Sequence, residues 1–208
     1  DFSKGFNILL NFLSADLSGV YLDVCKDRLY CDAKDAQRRR SAQSAMAIIT
    51  KALLPLIAPT LTYTVDEVMD YAPKIIKGEA KDAFDLVYEP IKFDLSFEDE
   101  LLFASREKFN EIVDVLKKDK KIKSTLELSL ETTNHNITGY DEREVADLYM
   151  VSSVRAYDDS EPLAEFELEG DKFKIIASNL HKCPRCWKFN ASKEDALCPR
   201  CEEVISAK

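Results

Sequence analysis

Apolar side chains in the first 77 residues recur at the three- and four-residue spacing of amphipathic helices. In the opening segment this spacing predicts one helix whose apolar face is buried. The residues on that face are Phe2, Phe6, Leu9, Leu10, Leu13, Leu17, Val20 and Tyr21. A second helix is predicted from about Asp35 to about Ile57, ended by Pro59. Thr64–Glu67 has the form of a capping box and predicts a third helix, which Pro73 ends.

The middle of the chain is predicted to be a connector followed by a long helix. Residues 74–97 have no sustained period and contain aromatic residues that we interpret as anchors. Those aromatic residues are Phe84, Tyr88, Phe93 and Phe97. A fourth helix is predicted from about Phe97 to Lys121, with Phe109, Val113 and Leu116 on its inner face.

After residue 122 the apolar pattern changes from helical spacing to alternation. Leu126, Leu128 and Leu130 alternate with polar residues, which predicts a half-buried strand. The elements predicted beyond it are a short helix over Asp141–Leu148, a strand over Tyr149–Val154 and a hairpin of Ala164–Glu169 with Lys172–Ala177. The predicted fold class is mainly α: a helical bundle over 1–121, a small mixed α/β segment over 122–178 and a cysteine-rich module over 179–208.

Composition places the chain among globular proteins. Apolar residues make up 46% and charged residues 32% of the 208 residues. No uninterrupted apolar run approaches the roughly 20 residues that span a bilayer, so we predict no membrane partner. The chain begins at Asp1 with neither an initiator Met nor a signal peptide, which predicts a fragment of a longer protein.

The net charge of −9 argues at first against a nucleic-acid partner. However, the acidic excess is concentrated in residues 78–101 and 124–180, whereas 1–77 and 181–208 are slightly basic. A local basic face therefore remains possible, but general attraction of a polyanion to the whole chain is excluded.

Two copies of the tetrapeptide Cys-Pro-Arg-Cys, separated by eleven residues, stand near the end of the chain. Two such turns can present the thiolates of Cys183, Cys186, Cys198 and Cys201 to one Zn²⁺ ion in a tetrahedron. Four protein ligands leave no open position, so the predicted zinc site is structural. The competing interpretations are a redox dithiol or two disulfides, but a redox C-x-x-C is expected at a helix start after a strand.

The cysteine usage also indicates the redox compartment. Apart from the two knuckles, only Cys25 and Cys31 remain, and both are expected to be free thiols in a helical segment. This usage is typical of a reducing cytoplasm with a metal site.

Basic and aromatic residues on the helical segment and around the knuckles are candidates for RNA binding. Trp187, the only tryptophan, directly follows a predicted zinc ligand and could stack on an unpaired base. It could equally pack the module against the rest of the protein, and a run of arginines is often a solvated helix face. The candidate RNA-binding residues are Lys26, Arg28, Arg38, Arg39, Arg40, Arg185, Trp187 and Lys188.

Several of these segments resemble one family. The knuckle Cys183–Trp187, followed by a second C-x-R-C close to the end of the chain, resembles the terminal zinc finger of bacterial isoleucyl-tRNA synthetases; a related finger occurs in formamidopyrimidine-DNA glycosylases. The stretches that resemble the helical anticodon-binding domain of the synthetases are Tyr21–Asp23, Lys26–Tyr30, Arg39–Gln43, Ala58–Val68 and Asp119–Ile122. They occur in the same order as in the family and, with the finger, cover nearly the whole chain.

The resemblance implies the C-terminal, tRNA-binding part of a class I synthetase. The expected partners are the anticodon arm of tRNA(Ile) and the remainder of the synthetase in cis, in a monomeric cytoplasmic enzyme. The HIGH and KMSKS signatures of the catalytic domain are absent from this sequence. ATP would therefore be used only in the catalytic domain of the parent ligase, and this chain alone is expected to be inactive.

Two alternatives to this interpretation remain open. One is the zinc-finger module of a DNA-repair glycosylase, but such an enzyme needs a nucleophile at the N-terminus of a β-rich domain, and the helix predicted after Asp1 provides none. The other is a purely structural docking module.

Overall fold

The computed structural model describes residues 1–92 and 100–207. Contacts divide the chain into two compact units, one comprising Asp1–Asp32 and Glu98–Lys208 and the other Ala33–Phe97. The predicted fold class is confirmed, since helices dominate and are accompanied by one small sheet and a C-terminal cysteine cluster. The division of the chain into three domains, 1–121, 122–178 and 179–208, remains a prediction.

A continuous helix opens the first unit. It consists of α1 (Phe2–Asn11), a π-helical stretch (Phe12–Leu22) and α2 (Asp23–Cys31). Asp1 caps it, because its carboxylate accepts a hydrogen bond from the backbone N–H of Lys4 at 3.2 Å. The predicted burial of its apolar face is wrong within the described structure, where no residue of Phe2–Leu22 is buried. The periodicity of the apolar residues predicted the helix correctly, but it did not predict the exposure of its apolar face.

The same helix bears on the membrane prediction. Although no uninterrupted apolar run reaches bilayer length, Phe2–Cys31 is long and apolar enough to cross a membrane by length and composition. This is weak evidence, because signal sequences and core helices of soluble proteins pass the same test.

Over its described residues, 33–92, the second unit contains three helices and a 3₁₀ turn. These are α3 (Gln37–Ile57), α4 (Thr62–Tyr71), α5 (Lys74–Lys77) and the turn Ala83–Asp85. Helices α3 and α4 lie close to the predicted positions, and Pro55 is accommodated in the last turn of α3. The core of this unit consists of Leu54, Ala58, Val65, Met69 and Ala83.

The aromatic residues of the predicted connector do not act as anchors where the structure describes them. Phe84 is 86% exposed and Tyr88 is 51% exposed. Phe93 and Phe97 lie outside the described residues. Ala83 is the buried residue of this stretch, and its backbone N–H donates to Asp66 at 3.2 Å.

The rest of the first unit packs helices against a four-stranded sheet. The helices are α6 (Glu100–Lys118), α7 (His135–Gly139) and α8 (Glu142–Leu148). The strands are β1 (Leu128–Thr132), β2 (Ser153–Ala156), β3 (Ala164–Leu168) and β4 (Asp171–Ala177), in the order β2-β1-β4-β3. Only the β1–β2 pair is parallel. The start predicted for the long helix at Phe97 lies outside the described residues.

Strand β1 is central and fully buried, so the prediction of a half-buried strand is wrong. Its Glu131 is fully buried and accepts hydrogen bonds from Arg155 Nε at 3.0 Å and Ser160 Oγ at 2.8 Å. These partners satisfy the carboxylate that alternation had assigned to solvent. The strand predicted over Tyr149–Val154 is found later in the chain, as β2 (Ser153–Ala156). Tyr149 precedes that strand and is buried against the ring of Phe109.

The predicted hairpin is confirmed at β3 and β4. The turn places Glu169 at φ +52° and Gly170 at φ +87°, so the glycine occupies a conformation that L side chains rarely adopt. Beyond β4, the cysteine module ends in α9 (Pro199–Ser206), which was not predicted.

Candidate metal centre and nucleic-acid interface

The four cysteines of the two knuckles lie together. Their Sγ atoms are all within 4.8 Å of one another, and those of Cys186 and Cys198 are 3.7 Å apart. A tetrahedral ion bonded to sulfur at about 2.3 Å would hold its ligands about 3.8 Å apart. A disulfide would need a distance of about 2.05 Å. The cluster therefore has the dimensions of a metal site, and all six cysteines are free thiols.

Local backbone structure presents these thiols. In the first knuckle, the N–H of Trp187 donates to the carbonyl of Cys183 at 2.9 Å and closes a tight turn. In the second, Cys198 is the N-cap of α9, Pro199 begins the helix, and Cys201 follows in its first turn. The backbone N–H of Cys198 also donates to Cys183 Sγ at 3.3 Å.

Backbone donors favour the thiolate form of one ligand. Burial alone would raise the pKa of Cys183, but hydrogen bonds from the backbone N–H groups of Cys186, Cys198 and Arg185 lower it to about 6. Burial raises the pKa values of the Cys186 and Cys198 thiols. A divalent cation would overcome that cost, because thiolates are the form that binds metal.

A buried carboxylate joins the cysteine module to the helices of the same unit. Asp147 on α8 is 3% exposed and accepts a hydrogen bond from Lys188 Nζ at 2.8 Å. The Arg28 guanidinium of α2 lies 3.6 Å from the same carboxylate and 2.8 Å from Glu144. Two of the candidate RNA-binding residues, Arg28 and Lys188, are therefore ion-paired and largely buried within the protein.

The two knuckle arginines both contact the end of α2. Arg185 Nη1 donates to the carbonyl of Cys31 at 2.6 Å, and Arg200 forms a two-pronged ion pair with Asp27. Arg200 also reaches Asp32 at 3.2 Å. Burial alone would lower the pKa of Arg200, but the hydrogen bond and charge of Asp27 raise it. Arg185, a candidate for RNA contact, thus has an internal partner as well.

Trp187 behaves differently from its charged neighbours. Its side chain is 62% exposed, and its backbone adopts φ +66°. A bulky residue in this left-handed conformation costs of order 1–3 kcal/mol and is typical of functional positions. Lys182 Nζ lies 5.4 Å from the centroid of its ring. The Trp187 ring is therefore an exposed aromatic surface beside the cation of Lys182, and it is not packed into the interior.

Comparison with known families decides what these features belong to. The model of the anticodon-binding domain of tRNA ligases matches residues 1–134. The chain belongs to this family.

Curated relatives agree with this family assignment. The chain is 99% identical over 208 residues to the isoleucine–tRNA ligase of Campylobacter concisus, 54% identical over 206 residues to that of Campylobacter jejuni, and 50% identical over 205 residues to that of Nitratiruptor sp.. These matches include 98–100% of this chain but only 22–23% of the length of each relative. The matched region is the C-terminal part of the relatives. The DNA-glycosylase and docking-module alternatives find no support in these matches.

The remaining candidate RNA-binding residues lie on helices. Lys26 on α2 is 65% exposed, and a 2.5 Å ion pair with Asp23 raises its pKa. At the start of α3, Arg38 and Arg39 are half-buried and Arg40 is exposed. Their role in binding RNA stays a prediction.

Sequence reasoning gave Asp147 no role, and it placed Arg200 only among the basic residues around the knuckles, without predicting its contacts to α2. Asp147 lies in an acidic stretch with nothing to single it out, and its partners are 41 residues or more away in the chain. Arg200 did have a signal, because it repeats the position of Arg185 in the second tetrapeptide.

Thiol labelling should distinguish the two remaining cysteines, Cys25 and Cys31, from ordinary solvent-exposed thiols. Cys25 is fully buried and Cys31 is 6% exposed. Burial, followed by the charge of Asp27, raises the pKa of Cys31 to about 11, and burial raises that of Cys25. At pH 8 in the metal-loaded protein, iodoacetamide should modify both at least about tenfold more slowly than a free cysteine peptide, because little thiolate is present.

Mass spectrometry of peptides from the labelled protein measures this. The rate at Cys31 should rise as the pH approaches 11, since more thiolate forms. Modification of Cys25 or Cys31 at the rate of the free peptide at pH 8 would contradict the buried placement.

Proposed function

We propose that this chain binds the anticodon arm of tRNA(Ile) as the non-catalytic part of an isoleucine–tRNA ligase. The family match and the ligase relatives support this proposal. In the parent, a cytoplasmic and monomeric enzyme, ATP-dependent charging of the tRNA takes place in a catalytic domain outside this chain. The rest of the ligase is its partner in cis.

We propose Zn²⁺ as the ion held by Cys183, Cys186, Cys198 and Cys201. Four sulfur ligands at tetrahedral spacing suit Zn²⁺, and with all positions filled the ion contributes folding energy and no Lewis-acid chemistry. The buried interior of the module is little more than three of these cysteines and Ala191, so the ion substitutes for a hydrophobic core.

The exposure of Trp187 on this metal-held turn carries the RNA-binding proposal. A glycine would adopt its left-handed backbone without strain, yet the sequence places the largest side chain there and leaves it in solvent. Such a ring offers a stacking platform for an unpaired base, as single-stranded RNA recognition requires. Lys182 beside the ring provides a charge for the adjoining phosphate.

Exposure and internal contacts divide the candidate residues into those that we propose to contact RNA and those that we propose to act by holding the structure. We propose that Trp187, Lys26 and Arg40, which are exposed, contact RNA directly. Arg28 and Lys188 act through structure, because their charges are paired with carboxylates inside the unit. Arg185 also acts through structure, because its guanidinium donates to the carbonyl of Cys31. Arg38 and Arg39 are predicted to contact phosphates through the exposed parts of their side chains.

Replacing Trp187 tests this proposal. Trp187→Gly should weaken binding to the tRNA(Ile) anticodon stem-loop by about 1–3 kcal/mol, since it removes a stacking surface. The same change should leave the free energy of unfolding within about 1 kcal/mol of the wild-type value, because glycine relieves the backbone strain. Fluorescence anisotropy and urea denaturation measure the two quantities.

Trp187→Phe provides the matched control, because it keeps an aromatic ring at the same position and should retain most of the affinity. Metal content should be unchanged in both variants, since Trp187 is not a ligand. Wild-type affinity in Trp187→Gly, or a loss of several kcal/mol in stability, would mean that the ring is a packing residue.

A further inference from the structure

The two knuckles carry an arginine at the same position, and both arginines reach the same turn of the same helix. Arg185 Nη1 donates to the carbonyl of Cys31 at 2.6 Å, and its Nη2 lies 3.4 Å from the carbonyl of Tyr30. Arg200 holds Asp27 with two hydrogen bonds and Asp32 with one at 3.2 Å. The last turn of α2 is thus held from both halves of the metal module.

These contacts suit the end of a helix. The last carbonyls of a helix have no intrahelical donor and lie at the negative end of its dipole, so a guanidinium satisfies both their hydrogen bonding and their charge. Asp32, the C-cap residue of α2, is 5% exposed and would be costly to bury without a cation. Arg200 provides that cation.

One of the arginines also contacts the metal cluster itself. The same Nη1 atom of Arg185 lies 3.4 Å from Sγ of Cys201, a ligand that belongs to the second knuckle. A guanidinium there neutralises part of the negative charge of four thiolates around a divalent ion. A single group therefore joins a metal ligand to the backbone of α2.

We propose that Arg185 and Arg200 are positioning residues that couple metal occupancy to the order of the last turn of α2. The metal holds the two knuckles in one geometry, and that geometry aims both guanidinium groups at Asp27–Asp32. Without the metal, the two knuckles are no longer held in one geometry, so Arg185 and Arg200 lose their contacts and the Asp27–Asp32 turn of α2 becomes disordered. Because coupling between two sites is reciprocal, the helix must also strengthen metal retention.

The coupling has a consequence for RNA binding. Lys26 lies on the same helix as the turn that the arginines hold, and we expect it to contact the tRNA backbone. Metal loss would then weaken RNA binding through α2 even at residues that never touch the metal module. The inference rests on the metal-binding part of the proposed function but not on the choice of tRNA.

Hydrogen exchange at the backbone amides of α2 tests the coupling in the full chain. Removal of the metal from the wild-type protein with a chelator should speed exchange in the Asp27–Asp32 turn roughly tenfold, a typical size for coupling between sites. Arg200→Ala in the metal-loaded protein should have a similar effect. Lys193→Ala is the matched control, because it removes one exposed positive charge from the same module without altering the contacts to α2.

Metal release provides the reciprocal test. Asp27→Asn, which removes the charge facing Arg200, should speed transfer of the metal to a coloured chelator roughly tenfold while one equivalent still binds at saturation. This variant and the chelated wild-type protein do not depend on whether Arg200→Ala folds.

The outcomes separate the inference from the proposed function. A wild-type protein that holds no metal overturns both the metal assignment and the coupling. A protein that holds one equivalent, but whose α2 exchange is the same with and without it, overturns the coupling alone. Asp27→Asn releasing metal at the wild-type rate would likewise refute it.

Discussion

Replacing Cys198 with serine is expected to abolish tight metal binding and to unfold residues 179–207. Metal binding to structural sites of this kind contributes roughly 10–16 kcal/mol, which is comparable to the whole stability of a typical domain, about 5–15 kcal/mol. Among the described residues of the module, the buried apolar cluster consists of Cys183, Ala191, Cys198 and Cys201, so a bound metal takes the place of a hydrophobic core. Metal analysis should fall well below one equivalent, and limited proteolysis should cut freely beyond β4.

Cys25→Ala is the control for this experiment. Cys25 is equally buried but lies on α2 and is not among the four clustered cysteines, so the variant should keep one equivalent of metal and a protected module. A Cys198→Ser protein with full metal content and wild-type proteolysis would contradict the four-cysteine site.

The second large effect is expected at Asp147. Asp147→Ala should lower the free energy of unfolding by about 3–5 kcal/mol, because it leaves the largely buried charges of Lys188 and Arg28 without a carboxylate between them. The loss should be visible in urea denaturation at neutral pH. Metal content at saturation should remain stoichiometric, since all four thiols are intact.

Glu144→Gln is the matched control, because Glu144 pairs with the same Arg28 from a side chain that is 40% exposed. An ion pair of that exposure contributes about 1 kcal/mol or less. Equal stability losses in Asp147→Ala and Glu144→Gln would contradict a buried charged junction between α2, α8 and the cysteine module.

Local signals predicted local structure well. Helix α3 and the β3–β4 hairpin lie where periodicity and turn chemistry placed them, and the four cysteines cluster as their spacing predicted. Each of these features is determined within a few residues or by a repeated motif. Sequence alone is sufficient there because the stabilising interactions lie within the pattern itself.

Features that depend on distant partners were not predictable. Glu131 alternates with apolar residues and looks solvent-facing, but Arg155 and Ser160 bury it. Arg200 pairs with Asp27 across 173 residues of sequence. Such pairs depend on how secondary-structure elements pack against one another, and the spacing of residues along the sequence does not indicate that packing. For the same reason the basic residues Arg185 and Lys188 looked free to bind RNA.

We propose that this chain recognises the anticodon arm of tRNA(Ile). The most direct measurement is equilibrium binding of the metal-loaded chain to that stem-loop, to an anticodon stem-loop from a different tRNA and to duplex DNA of equal length, each over a range of salt. We predict that the tRNA(Ile) stem-loop binds more tightly than either competitor by at least about tenfold, or 1.4 kcal/mol. Equal affinity for all three, falling steeply with salt, would contradict specific anticodon recognition.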